Sequence, residues 1–270
     1  MLRELLDRCL QAGTHPETGL FYHSANLGQP NPGAGKANDC WGYVLFSYAN
    51  YDLAMGEDRY RTAIEKPMRW LAQNHPDFHQ VKDTLWPDAD SSDCWSDSYE
   101  SMVILWKRYP ISGGFEWLDW ATRQHIHRRH GKTRQYGPFT GGHFDGSTGR
   151  TLCAHMMVCS QGVRTVPFVE GLRLGSVQDD GELFLTMESD KRWEGKLCFD
   201  CPRDEQRGAT ADWARVNEAP LWFVARPERE YRVTVDGAKP IEVTGKRLIE
   251  GLNMAVRPRE VRKIRVRIVK

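Results

Sequence analysis

Apolar residues recur at helical spacing through residues 1–162 and at alternate positions after that. Met1–Gln11 is amphipathic. Trp41, Leu45 and Tyr48, at i, i+4 and i+7, predict a helix from about Asp39 to Met55, stopped by Gly56. The same reasoning predicts helices over Tyr60–Gln73, Cys94–Arg108, Phe115–His130 and Thr148–Gln161, the last ended by Gly162. Gly, Pro and Asn crowd the stretch Gly19–Lys36, and His75-Pro76 and Trp86-Pro87 bracket a second irregular connection. The later pattern predicts strands at Leu183–Met187, Lys196–Phe199, Trp222–Ala225, Tyr231–Val235, Ile241–Val243 and Ile264–Ile268. Asp236-Gly237 is the strongest hairpin signal. In the last strand Lys263, Arg265 and Arg267 alternate with Ile264, Val266 and Ile268, which puts the charges in water and the apolar set on a core.

Helices followed by a block of strands describe an α+β, multidomain chain, not an alternating α/β sheet. The expected organisation is an α-hairpin domain, a partial (α/α) toroid, over residues 1–162, followed by an antiparallel β-sandwich over residues 163–270. About six helices are legible, roughly half of what a closed ring of hairpins needs. The chain therefore reads as the C-terminal part of a longer protein.

Composition narrows the functional classes. A formal net charge of +1 over 270 residues gives no basic field for nucleic acid. No apolar run approaches the roughly 20 residues of a membrane span. The mixed-charge helix at the N-terminus does not read as a signal sequence. Seven cysteines at irregular spacing imply reduced thiols and a cytoplasmic setting. Metal signals are weak: Cys198 and Cys201 form a single C-x-x-C, while Cys153 with His155, and the trio His125, His127 and His130, lack partners at ligand spacing. There is no glycine-rich phosphate cradle followed by Lys-Ser or Lys-Thr, and no cofactor is expected.

The chemistry gathers in two places. The run Asp88–Glu100 holds five carboxylates with Trp95 and Tyr99 among them, and Asp93, Asp97 and Glu100 fall on one helix face. Acids at a helix start are often caps, because the first N–H groups lack partners. Capping accounts comfortably for one of the three. Glycosidic cleavage needs a proton donor and a second carboxylate on the other side of the bond. Asp93 and Asp97 lie too close together to be that pair, so the partner is expected from another loop, with Asp145 first and Asp39 next. The second cluster, Arg134, Tyr136, His143, Asp145 and Arg150, also suits an acidic-sugar lyase: arginine neutralises a uronate, and Tyr or His moves the proton.

Asp39-Cys-Trp41-Gly42-Tyr43, Ser96-Asp-Ser-Tyr-Glu100, Thr133-Arg-Gln-Tyr136, His143-Phe-Asp145-Gly146 and Arg150-Thr151 occur in that order, followed by Trp193–Asp200 and Arg215–Phe223. In these motifs the chain resembles bacterial (α/α)-toroid proteins similar to six-hairpin glycosidases and toroid-type polysaccharide lyases. Ser147-Thr148-Gly149 is more glycine-rich than is usual in that group. The resemblance implies a fold and an oligo- or polysaccharide substrate, with no settled catalytic roles. Glycoside hydrolysis is the first expectation, a uronate lyase the second, and a non-catalytic binding or scaffold module the third. The candidate catalytic residues are Asp97, Asp145, Glu100, Tyr136 and His143. Asp39, Trp41, Tyr43, Asp93, Trp95, Arg134 and Arg150 are the candidate substrate contacts.

Overall fold

The structure is a computed structural model that describes residues 1–22, 37–38, 40–74, 92–132, 146–202, 213–215 and 222–269, with backbone alone for 92–95, 124–132 and 147–148. It is an α+β protein of two compact units, Met1–His155 with Trp213–Glu218, and Met156–Asp212 with Ala219–Lys270.

Among the described residues six helices come first: α1 (Leu2–Gly13), α2 (Trp41–Met55), α3 (Arg61–Asn74), α4 (Ser92–Arg108), α5 (Gly114–Lys132) and α6 (Gly146–Ser160). The division between the units falls inside α6. α4 packs against α2 and α5, and α5 against α3. Each element follows from local chemistry. The side chain of Asn38 accepts from the Cys40 N–H just before α2. Gly56, left-handed at φ 64°, closes α2 by donating to the carbonyls of Asp52 and Leu53. α4 is buried along most of its length, with Tyr99, Met102 and Leu105 fully enclosed.

Asp52, 2% exposed, reaches from α2 to the start of α3, where its carboxylate accepts from the Tyr60 N–H at 2.7 Å. Removing that acceptor strands a buried donor, so Asp52→Ala should lower stability by about 1–3 kcal/mol. Asp52→Asn, which keeps an oxygen there, should lose less. Urea denaturation of the three proteins checks this, and equal midpoints would remove Asp52 from the list of stabilising groups.

The second unit holds two antiparallel sheets. β1 (Val163–Val166), β4 (Trp193–Phe199) and β7 (Leu252–Val256) form one, in the order β1-β4-β7. The other runs β2-β3-β8-β5-β6, from β2 (Leu172–Asp179), β3 (Glu182–Ser189), β8 (Val261–Ile268), β5 (Glu230–Val235) and β6 (Ile241–Thr244). A short helix, α7 (Gly245–Glu250), lies between β6 and β7. Leu183, Leu185, Phe199, Phe223, Val233, Ile264 and Val266 belong to one buried cluster, with Val235 packed against it, as the alternation requires. Lys263, Arg265 and Arg267 are exposed, and so is Ile268 at the strand end.

Two local readings change. Trp222–Ala225 is not a strand. Phe223 N–H donates to Gln161 O and Ala225 N–H to Asp200 O, and Asp200 with Val224 makes one isolated bridge. Trp222 is half-buried, not enclosed. Asp236 and Gly237 do form a turn, both at positive φ with Ala238 N–H donating to Val235 O, but it sits within a longer connection because β6 resumes only at Ile241. The tight two-residue hairpin is Asp180-Gly181, with Asp179 opposite Glu182.

Candidate functional site

Asp97 and Glu100 are the sixth and ninth residues of α4, which begins at Ser92. They lie beyond the first-turn N–H groups, so neither is a cap. What they do instead follows from a close helix crossing. A Cβ on Gly42 of α2 would overlap the Cβ of Ser101 on α4, so the absent side chain lets the two helices meet. Ser101 returns its hydroxyl to the Asp97 carbonyl at 2.7 Å, satisfying itself inside α4. Tyr43, the next residue along α2, then donates its phenol to Asp97 Oδ1.

α6 supplies the third wall. Arg150 Nη2 donates to Asp97 Oδ1 at 2.8 Å, and Arg150 Nη1 lies 3.6 Å from Glu100 Oε2. Cys40 Sγ donates to Asp97 Oδ2 at 3.6 Å. Asp97 is 9% exposed, and in each of these contacts it accepts, the pattern of an ionised carboxylate. A second cation, Arg215, places Nη1 3.6 Å from Glu100 Oε2 and lays its guanidinium 3.3 Å from the centre of the Tyr43 ring. Glu100 Oε2 is shielded from solvent and makes no hydrogen bond among the described residues. Two guanidinia hold it by charge at a distance too long for a hydrogen bond, which leaves its acceptor capacity open.

The environment sets the protons. Burial, then the hydrogen bond to Asp97, pushes the Tyr43 phenol well above its ordinary range, so it stays protonated and donates. Burial alone would lower the Arg150 pKa, but the charges of Asp97 and Glu100 outweigh it and the net direction is up.

Two polar links join the same faces of α4 and α6: Ser96 Oγ to Thr151 Oγ1 at 2.7 Å, and Tyr99 Oη to His155 Nδ1 at 3.0 Å. Burial pulls the His155 pKa down, with Asp119 acting weakly the other way. The unfolded imidazole takes up its proton near about 6.5, the folded one only at lower pH. Between those values the unfolded state binds more protons. The stability that depends on His155 is therefore present above about pH 6.5 and lost as pH falls through that window. Denaturation midpoints above and below the window should drop less in His155→Gln than in the parent; equal drops would exclude this residue as the source.

Of the expected site residues, Asp97, Glu100, Tyr43 and Arg150 converge. Trp41 is fully buried and belongs to the core of the helical unit, so it has no face to offer a sugar. The side chains of Asp93 and Trp95 lie outside the described residues, as do Asp39, Arg134, Tyr136, His143 and Asp145. Cys40 and Arg215 join the cluster without having been singled out. Arg215 is remote in sequence, and its only signal is its place in the Arg215-Val-Asn217 motif. Among the described residues no group of His, Cys, Asp and Glu has the arrangement of a metal site. No helix there is long and apolar enough to cross a membrane. Compared with known proteins, the chain matches no family model, and no curated protein is significantly similar to it.

Proposed function

We propose that this protein cleaves glycosidic bonds by hydrolysis, with Asp97 as the ionised carboxylate of an acid–base pair. The observation that carries the reading is the acceptor-only setting of Asp97, held by Arg150, Tyr43 and Cys40 beside a second carboxylate with unmet acceptor capacity. A carboxylate so engaged suits the base or nucleophile of the pair and has no proton for the leaving group. The donor belongs to another segment, with Asp145 first and Asp39 next. In this reading Arg150 and Arg215 hold the two carboxylates in place, Glu100, Tyr136 and His143 are the further catalytic candidates, and Asp93, Trp95 and Arg134 are substrate contacts. The helices then belong to an (α/α) toroid and the two sheets to a β-sandwich.

The lyase alternative needs a base that gives up its own proton near neutrality. That reading assigns the proton to Tyr136 or His143, which lie outside the described residues, and Tyr43, the phenol of the described cluster, is shifted the wrong way to replace them. The test is incubation of the full chain with a panel of neutral and uronate-containing glycans. Hydrolysis predicts new reducing ends with no new near-ultraviolet absorbance. Absorbance from an unsaturated product would replace the reading with the lyase, and sugar binding without cleavage would replace it with a binding module.

A further inference from the structure

The outward face of the five-stranded sheet carries a feature that the helical unit does not explain. Three hollows lie side by side along β8. The first, about 560 Å³, lies over β2, β3 and β8 and includes Phe184 and Lys263. It shares Thr234 and Arg265 with a second of about 160 Å³, which shares Arg232 and Arg267 with a third of about 610 Å³ at the Asp180-Gly181 turn. From Lys263 to Arg267 the floor runs about 13 Å at the strand rise of roughly 3.3 Å per residue, enough for a short oligosaccharide.

We propose that this groove binds an acidic oligosaccharide, with Phe184 as the stacking platform and Lys263, Arg265, Arg267 and Arg232 reading its carboxylates. Phe184 is 38% exposed, with Val177 of β2 and Arg265 of β8 opposite it on the outward face, and an aromatic ring there serves no core. A sugar's C–H face packs against such a ring while its hydroxyls stay wet. The Arg265 guanidinium lies over the ring, 5.4 Å from its centre, so a stacked sugar would share the ring with a cation.

The charge pattern selects the ligand. Glu182 holds Arg265, with Nε donating at 2.6 Å, and lies 3.8 Å from Arg267, while Glu242 holds Arg232 at 2.8 Å. With Asp180 at the edge of the third hollow, three acids face the four cations, which stay in excess by one. Lys263 makes no ion pair among the described residues. The excess is modest, and the chain as a whole is near neutral. That fits one carboxylate per sugar better than the dense charge of a polyphosphate, which needs a basic field.

Gly175 keeps the first hollow open. Its φ lies outside the left-handed region, and a Cβ there would meet only Thr186 Oγ1, at 3.5 Å, an ordinary contact. A larger side chain at that position fills the groove without straining the sheet.

This inference stands apart from the hydrolytic reading, since it concerns binding by the sheet alone. The experiment titrates the full chain with oligogalacturonate, a neutral oligosaccharide of equal length and a single-stranded oligonucleotide, with reducing ends followed in parallel so that binding and cleavage are read separately. Saturable binding of the oligogalacturonate, weakened by salt, is expected. Phe184→Ala, Lys263→Glu and Gly175→Val, each with parent-like melting, should weaken it about tenfold or more, the scale of one lost stacking or charge-assisted contact. No binding by the parent, equal binding of the neutral sugar, tighter binding of the oligonucleotide, or unchanged affinity in all three variants would each overturn the proposal.

Discussion

Asparagine at position 97 should lower glycan turnover per folded molecule by about 10²–10⁴-fold, the range of a positioned acid–base group. The substitution keeps the shape of the side chain and removes its charge. Arg150 keeps an oxygen acceptor but loses the charge opposite it, so stability should fall as well, by less than the about 1–3 kcal/mol of a deleted acceptor. Turnover must therefore be normalised to the folded fraction at the assay temperature. Tyr43→Phe gives the contrast. It removes one donor to Asp97 and leaves the charge, so its loss should be clearly smaller. Full turnover in Asp97→Asn, on a glycan that the parent cleaves, would mean that the α2–α4–α6 cluster is a structural clamp.

The second large effect lies in the sheets. Phe199 is 1% exposed and meets Phe223 edge-to-face at 5.9 Å, and Phe223 meets Tyr231 in the same way at 6.0 Å. Phe199→Ala should cost about 3–5 kcal/mol, from lost burial and the cavity left behind. Guanidinium denaturation should show a lower midpoint at unchanged slope. Phe184→Ala, on the outward face, is the control and should stay within about 0.5 kcal/mol of the parent. If the two variants lost stability equally, the division between inner and outer faces drawn from the alternation would be wrong.

That division was legible in the sequence because burial on one face leaves a period of two. β3, β5 and β8 show it plainly, and each has strand neighbours on both sides. The unread strands β1, β2 and β7 are all edges. β2, Leu172-Arg-Leu-Gly-Ser-Val-Gln-Asp, has one fully buried residue, at its start, so nothing imposes a hydrophobic rhythm on it. Trp222–Ala225 failed in the opposite way. It has strand-like residues, but its N–H groups are taken by single partners outside any ladder.

In the candidate site, helical spacing put Asp97 and Glu100 on one face, and Tyr43 and Arg150 stood out for their residue types. Trp41 misled because its spacing with Leu45 and Tyr48 is that of a core stripe, and the core claimed it. Arg215 could not be found by spacing at all. A contact between residues so distant along the chain depends on how the helices come together, and that leaves no local mark.

β8 is the last strand of its sheet to be made, and it is the one that joins β3 to β5. On a ribosome the β2–β3 hairpin therefore emerges first and waits for its partner. At about 5–20 residues per second, the stretch between β3 and β8 takes on the order of 4–14 s to synthesise. Throughout that interval Leu183, Leu185 and Met187 are opposed only by β2, and the other edge of β3 offers its N–H and C=O groups to any neighbouring nascent chain. The late arrival of one central strand thus makes the order of synthesis, as much as the final packing, a determinant of how much protein reaches the folded state.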